Sequence, residues 1–413
     1  MSSPVRGAAA SAPGADAIGA PVSALSIAAL ALAAFGSGMA LRVNDALLPR
    51  LSAEFGVTLA QAAQVVSVFA IAYGVAQLFF GPTGERHGKY RVVAWGCGGC
   101  ALASVLCGVA PDFASLRALR GLGGVMAASI IPLSMAWIGD VVAYEQRQPV
   151  LARFLIGQIL GLSAGVWLGG FAADHLGWRV PYFILALLFG AVAAVLFIVE
   201  RGLPAPARAR GAAAAGSALA RMTGDFRYVL AQPWARVILA SVFLEAVALY
   251  GPFAFIATHL HERFGLTLAA AGSVVMLFGF GGFAFAVASG RLVKRLGEVG
   301  LARWGGSIMA ASMALVAFTP HWALALPGCL GMGLGFYMLH NTLQVNATQM
   351  APQRRGPAVS AFASLFFLGQ SAGVVVAGAL RTHWGSAAPI ALGAVGVMAV
   401  AWGFGALRAR RQQ

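Results

Sequence analysis

Apolar residues run through this chain in long stretches, and polar positions collect in the gaps between them. The stretches fall at 23–47, 59–81, 91–111, 115–139, 150–172, 180–199, 235–257, 268–290, 301–320, 322–346, 357–379 and 386–407. Crossing ~30 Å of hydrocarbon takes about 20 helical residues, so each is read as a spanning helix, 301–320 being the shortest. Strict alternation of polar and apolar positions is absent, which argues against an outer-membrane barrel. Helices satisfy their own backbone hydrogen bonds in lipid, and Ala, Leu, Val and Gly suit packed transmembrane helices. The pattern predicts an all-α membrane protein of twelve transmembrane helices.

The longest polar interval, 200–234, contains no spanning segment and reads as a cytoplasmic linker between two six-helix bundles, 22–199 and 235–407. Residues 1–21, rich in Ala, Ser, Gly and Pro, read as a disordered cytoplasmic tail, and 408–413 as a basic one. The halves repeat each other. "GLSAGVWLGG" at 161–170 aligns with "GQSAGVVVAG" at 369–378, an offset of 208 that also pairs Arg147 with Arg355 and His175 with His383. "GPTGERHGKYR" at 81–91 has an echo in "GRLVKRLG" at 290–297, where Gly81, Arg86 and Gly88 match Gly290, Arg295 and Gly297. Duplicated halves are a transporter architecture with the substrate route between them.

Composition strengthens the membrane reading. The chain has 413 residues, 60% hydrophobic and 10% charged, against about 25% charged in soluble domains. A net charge of +15 invites a nucleic-acid reading, but its distribution excludes one. The loops predicted to be cytoplasmic hold Arg86, Lys89 and Arg91, Arg147 and Arg153, six arginines from Arg201 to Arg236, Arg291, Lys294, Arg295 and Arg303, and Arg354 and Arg355. The opposite loops hold at most one each: Arg50, Arg179, Arg263 and Arg381. This is the positive-inside pattern, with both termini in the cytoplasm of a bacterial inner membrane. Cys97 and Cys100 have C-x-x-C spacing inside an apolar span without further metal ligands, and read as packing residues.

On these motifs the chain resembles the major facilitator superfamily along nearly its whole length, above all its drug:proton antiporters and efflux permeases. The family's loop motif G-x-x-x-D-R-x-G-R/K is matched by Gly81, Glu85, Arg86, Gly88 and Lys89, with Glu in place of Asp. Its helix-four motif R-x-x-Q-G-x-G is matched by Arg117, Gly121 and Gly123, with Arg120 at the Gln position. Its helix-five antiporter motif is matched by Gly161, Gly165, Gly169 and Gly170, with Val166 replacing the proline. The resemblance implies a secondary transporter working by alternating access, and a charge cluster of Glu85, Arg86 and Asp140 that locks the cytoplasmic side in the outward-facing state. The repeat places Thr348 opposite Asp140 and Lys294 opposite Glu85, so the second copy lacks both carboxylates.

Gly161, Gly165 and Gly169 recur every fourth residue and predict a seam for close helix approach, as do Gly369 and Gly373 in the second copy. Charges within spans cost about 2.5–3.5 kcal/mol each on insertion scales and pair or line cavities. Asp45, with Arg42 three residues before it, is one carboxylate in a span; the alternatives are an interfacial ion pair and a proton-binding site, which the resemblance favours. Glu245 is the other, and a carboxyl in hydrocarbon exchanges its proton according to its surroundings, as a proton-coupled carrier requires. Arg117 either snorkels to the outer surface or stands beside a protonatable carboxylate, with Arg120 sharing that task. His340, Asn341 and Gln344 predict cavity lining or an interhelical hydrogen-bond cluster.

No G-x-x-x-x-G-K-[ST] loop occurs, so energy must come from a gradient rather than from ATP. The function read from the sequence is proton-coupled export of a small organic molecule by a monomer in the lipid bilayer, with no cofactor, no metal and no enzymatic constellation. The alternatives are an importer or uniporter of a sugar or metabolite, and a transport-dead membrane sensor.

Overall fold

A computed structural model describes residues 23–203 and 218–412; the predicted tail at 1–21 and much of the linker lie outside the described residues. Eleven helical stretches are long and apolar enough to cross a membrane, by length and composition. They are Ala24–Arg42, Leu59–His87, Lys89–Gly108, Phe113–Val141, Pro149–His175, Val180–Gly202, Pro233–Phe264, Leu268–Phe318, Trp322–Ala347, Pro352–Trp384 and Ala387–Arg411. Leu268–Phe318, at 51 residues, is over twice the length of a span. Gly297 breaks it with φ 60 and ψ −176, making two antiparallel crossings and twelve spans in all. The short segment at 301–320 is therefore a genuine ninth span.

Repetition extends to the turns and caps. Gly88 (φ 92) turns the chain between the second and third spans as Gly297 does between the eighth and ninth. Thr58 and Thr267 cap the second and eighth spans through their side chains, each preceded by a glycine in the left-handed region, Gly56 (φ 61) and Gly265 (φ 67). Asp112 caps the fourth span by accepting from the Ser115 backbone N–H at 2.8 Å, which holds its carboxyl below the usual carboxylate range. The inner ends of the third and sixth spans are tied by Arg91 and Glu200, 2.7 Å apart. Their counterparts, the ninth and twelfth, are tied by Glu298 and Arg408 at 2.8 Å, with the signs exchanged.

The same two residue pairs correct the predicted boundaries. The sixth helix runs to Gly202, and a further helix, Ala218–Ala231, fills part of the linker. The last helix continues to Gln412, so the basic residues 408–412 are helical, and Arg411 lies 4.8 Å over the Trp234 ring.

Within each bundle the first and fifth spans pack together, as do the seventh and eleventh. Between bundles the second span meets the eleventh and the fifth meets the eighth. Gly81 and Gly88 are not equivalent in this frame. A Cβ at Gly81 would meet nothing within 4 Å, whereas Gly84 lies against Leu133, so the close packing near this turn falls to Gly84. Gly81→Ala should then be neutral or stabilising by about 0.5–1 kcal/mol. Gly88→Ala should destabilise by ~1–3 kcal/mol because of its backbone conformation. Thermal melting of the two purified variants checks the opposite signs.

Candidate functional site

The inter-bundle contacts run from the outer surface to mid-membrane. Asp174 on the fifth span accepts from the Ala269 backbone N–H at 2.6 Å, at the outer start of the eighth. Below it Gly272 approaches the Val166 carbonyl, and Ser163 Oγ donates to the Met276 carbonyl at 3.1 Å. On the other flank Ser364 Oγ donates to the Gly74 carbonyl at 2.7 Å, and Tyr73 stacks on Phe367 with centroids 4.0 Å apart. At the cytoplasmic ends, Glu85 and Asp140 keep more than half of their side-chain surface exposed. A sealed outer half with exposed inner charges is an inward-facing arrangement.

The glycine seam lies within the bundles. Gly161, Gly165 and Gly169 sit against the backbone of Phe35, Met39 and Val43 on the first span, and Gly369 and Gly373 against Phe243 and Val247 on the seventh. Gly170 alone of the motif turns outward, meeting Leu268 across the bundle boundary. Val166, where the family motif has proline, is buried at the same boundary, and the fifth helix runs unbroken from Tyr144 to His175.

Two carboxylates are fully enclosed. Glu245 has no exposed surface, and its Oε2 lies 2.8 Å from His340 Nδ1 on the tenth span. Its Oε1 has no hydrogen-bond partner among the described residues. Phe336 stacks on the His340 ring at 4.8 Å, and Phe366 and Phe362 lie 4.7 and 5.4 Å from it. The imidazole keeps 16% of its side-chain surface open, so of the two partners it is the one that is not fully enclosed. The sequence singled out each residue separately, and the fold makes them one site. Asn341 is half-buried and Gln344 exposed, and neither side chain hydrogen-bonds to His340 among the described residues, which leaves the cavity-lining alternative for them.

Asp45 is the second, 1% exposed, with Arg42 Nη1 3.4 Å from its Oδ2. The arginine that accompanies it from the fourth span is Arg120, not Arg117. Arg120 is 3% exposed, donates to the Ala40 carbonyl at 2.9 Å and to the Val65 carbonyl at 3.3 Å, and lies 4.3 Å over the Phe69 ring. Asn44, beside Asp45, accepts from Arg120 at 3.2 Å and donates to Tyr182 Oη at 2.6 Å in the amide orientation that satisfies both neighbours. Arg117 is exposed and donates to Gln64 Oε1 at 2.6 Å, the snorkelling alternative. The two lie about one turn apart on the same broad face, Arg117 exposed nearer the outer end and Arg120 buried deeper in the span.

In the loop between the second and third spans, Lys89 bridges both carboxylates, 2.6 Å from Asp140 and 3.2 Å from Glu85. Arg86 is exposed and makes no ion pair among the described residues, so in this inward-facing state it takes no part in the expected cluster. Lys294 and Arg295 in the second copy are likewise exposed. Residues that sequence reasoning passed over include Gln370, which accepts from Arg42, and Asn346, which donates to Glu298 at 3.0 Å. Gln370 had a signal: it stands where the first copy of the repeat has Leu162.

The sequence model of the Major Facilitator Superfamily matches residues 30–374. The chain is 26% identical over 348 residues to the MFS-type transporter YceJ of Bacillus subtilis, covering 82% of this chain and 86% of that protein. Over 191 residues it is 27% identical to the multidrug export protein EmrB of Escherichia coli, covering 46% of this chain and 37% of that one. Among solved structures it is similar to a bacterial homologue of the human lysosomal transporter Spinster, in an inward-facing, unoccupied conformation. That match has a TM-score of 0.74 and 17% identity, and covers 93% of this chain and 96% of the other.

Proposed function

The chain belongs to the major facilitator superfamily of transporters, and from that premise we propose that it exports a small organic molecule in exchange for protons across a bacterial inner membrane. The observation that carries this reading is the Glu245–His340 pair, a fully buried carboxylate whose one hydrogen-bond partner among the described residues is a partly open imidazole. Burying an unpaired charge in lipid is costly. A neutral acid beside a neutral imidazole and a carboxylate beside an imidazolium both leave the site without net charge. One proton more or fewer changes that, so the site's charge reports proton occupancy to the bundle around it. The rings of Phe336, Phe362 and Phe366 give the same site an apolar face for an organic substrate. Export is favoured over import by the partial likeness to a multidrug exporter. The protein acts as a monomer in this reading.

Glu85, Arg86 and Asp140 belong to the same proposal as the lock of the outward-facing state, in which Arg86 turns in to the two carboxylates that Lys89 holds here. The second copy, with Lys294 and Thr348 in place of those carboxylates, is a steric latch. Arg86→Ala should therefore reduce transport several-fold more than Arg295→Ala, compared as initial rates at equal protein. Equal losses would remove the asymmetry.

The function itself is tested in two steps. A screen of small organic molecules for raised melting temperature finds ligands, since binding the folded state stabilises it. Inverted membrane vesicles should then accumulate such a ligand when energised and lose the accumulation when a protonophore collapses the gradient. Accumulation unchanged by the protonophore would contradict proton coupling, and uptake only into right-side-out vesicles would contradict export.

A further inference from the structure

Arg42 lies at the outer end of the first span, 2% exposed, on the boundary between the bundles. Its Nη2 donates to Gln370 Oε1 at 2.9 Å on the eleventh span. Its guanidinium sits 4.1 Å over the Tyr250 ring and 5.2 Å from that of Phe253, both on the seventh. Its contact within its own bundle is Asp45, three residues along the same segment. A cation in a dry interface is tolerated only with a counter-ion and satisfied donors. Here the counter-ion comes from one bundle, while the acceptor and the ring faces come from the other. If the outer side opens, Arg42 and Asp45 move off together, and water replaces Gln370, Tyr250 and Phe253.

We propose that Arg42 is the clasp of the outer gate: a cation fixed to the first bundle and neutralised by Asp45, which seats on Gln370 and Tyr250 of the second and sets the balance between inward- and outward-facing states. This rests on the alternating-access part of the reading above and not on proton coupling. Two features single out this contact among those across the boundary. It is the one described inter-bundle contact that carries a full charge on a side chain buried to 2%. The seat is also connected inward, because Tyr250 meets Phe336 edge-on at 5.3 Å and Phe366 at 5.4 Å, and those two rings flank His340. Displacing the aromatic cluster at His340 therefore disturbs the surface on which the clasp rests.

The test measures the distance between spin labels at Ala53→Cys and Thr382→Cys, exposed positions at the outer ends of the two bundles; the four native cysteines are buried. Arg42→Ala and, separately, Asp45→Asn should raise the ratio of long to short distances by about tenfold or more. The double variant Asp45→Asn with Gln370→Glu moves the counter-ion across the boundary and should restore the short-distance population. Gly272→Leu serves as a wedge, since a Cβ there would lie 2.9 Å from the Val166 carbonyl oxygen. If the wedge lengthens the distances and neither clasp variant does, the clasp is refuted while alternating access stands. If no variant lengthens them, both fall. A double variant that behaves like Asp45→Asn alone would reduce Arg42 to packing and overturn the proposal.

Discussion

Glu245→Gln should retain the fold and ligand binding but lower gradient-driven export at least about tenfold, equivalent to ~1.4 kcal/mol. Glutamine has the size of glutamate and can still meet His340 Nδ1, so packing around the fully buried position is preserved. What it lacks is a proton to release. Exchange of substrate for substrate across the membrane, which requires no net proton movement, should persist in the same preparation. His340→Ala should behave differently. It strips a buried carboxyl of its one hydrogen-bond partner among the described residues, and leaving such a group unsatisfied costs about 1–3 kcal/mol. That variant should lose thermal stability as well as transport. The contrast between a stable, uncoupled Glu245→Gln and an unstable His340→Ala separates a coupling site from a merely structural pair.

Gly161→Val should be the most damaging single change to the fold. A Cβ at Gly161 would be driven into the backbone of Phe35, with the Cα of that residue only 2.8 Å away. Backbone atoms in two packed helices cannot step aside as the tip of a flexible side chain can. Overpacking a tight core costs typically about 1–3 kcal/mol and more where nothing yields. We expect the variant to fail to give a monodisperse peak on size exclusion. Gly139→Ala is the control, because a Cβ there meets nothing within 4 Å, and it should purify and melt like the parent. A monodisperse Gly161→Val with an unchanged melting temperature would mean that the first and fifth spans do not pack as described.

The two halves of this protein were legible because duplication writes the same constraints twice. A glycine with positive φ is needed at the turn after the second span and again after the eighth, and Gly88 and Gly297 supply both. Glycines are needed where the fifth span crosses the first, and their echoes Gly369 and Gly373 serve the eleventh against the seventh. Spans are equally plain, since hydrocarbon thickness fixes their length.

The site was legible as a set of residues and not as a set of pairs. Glu245 and His340 are 95 positions apart, and Arg42 and Gln370 are 328 apart. No helical spacing relates such positions, so only helix packing decides who meets whom. Local geometry did succeed where it applied, in Arg42 reaching Asp45 three residues away. At the fourth span the sequence left Arg117 two alternatives, of which the structure shows the snorkelling one, while the buried cation is Arg120. Charge also disguised the two inner-end ties, because Arg91–Glu200 and Glu298–Arg408 exchange signs between the halves and leave no identical residues to align.

Proton and substrate movements can be followed together in one preparation. Proteoliposomes loaded with a ligand from the melting screen and a pH-sensitive dye are diluted into ligand-free buffer, with no imposed pH gradient. Ligand leaving through the parent protein should drive protons inward, acidifying the lumen, and this signal should disappear in Glu245→Gln. Ligand efflux through the parent with no change in internal pH, or an undiminished acidification in Glu245→Gln, would contradict proton coupling through Glu245.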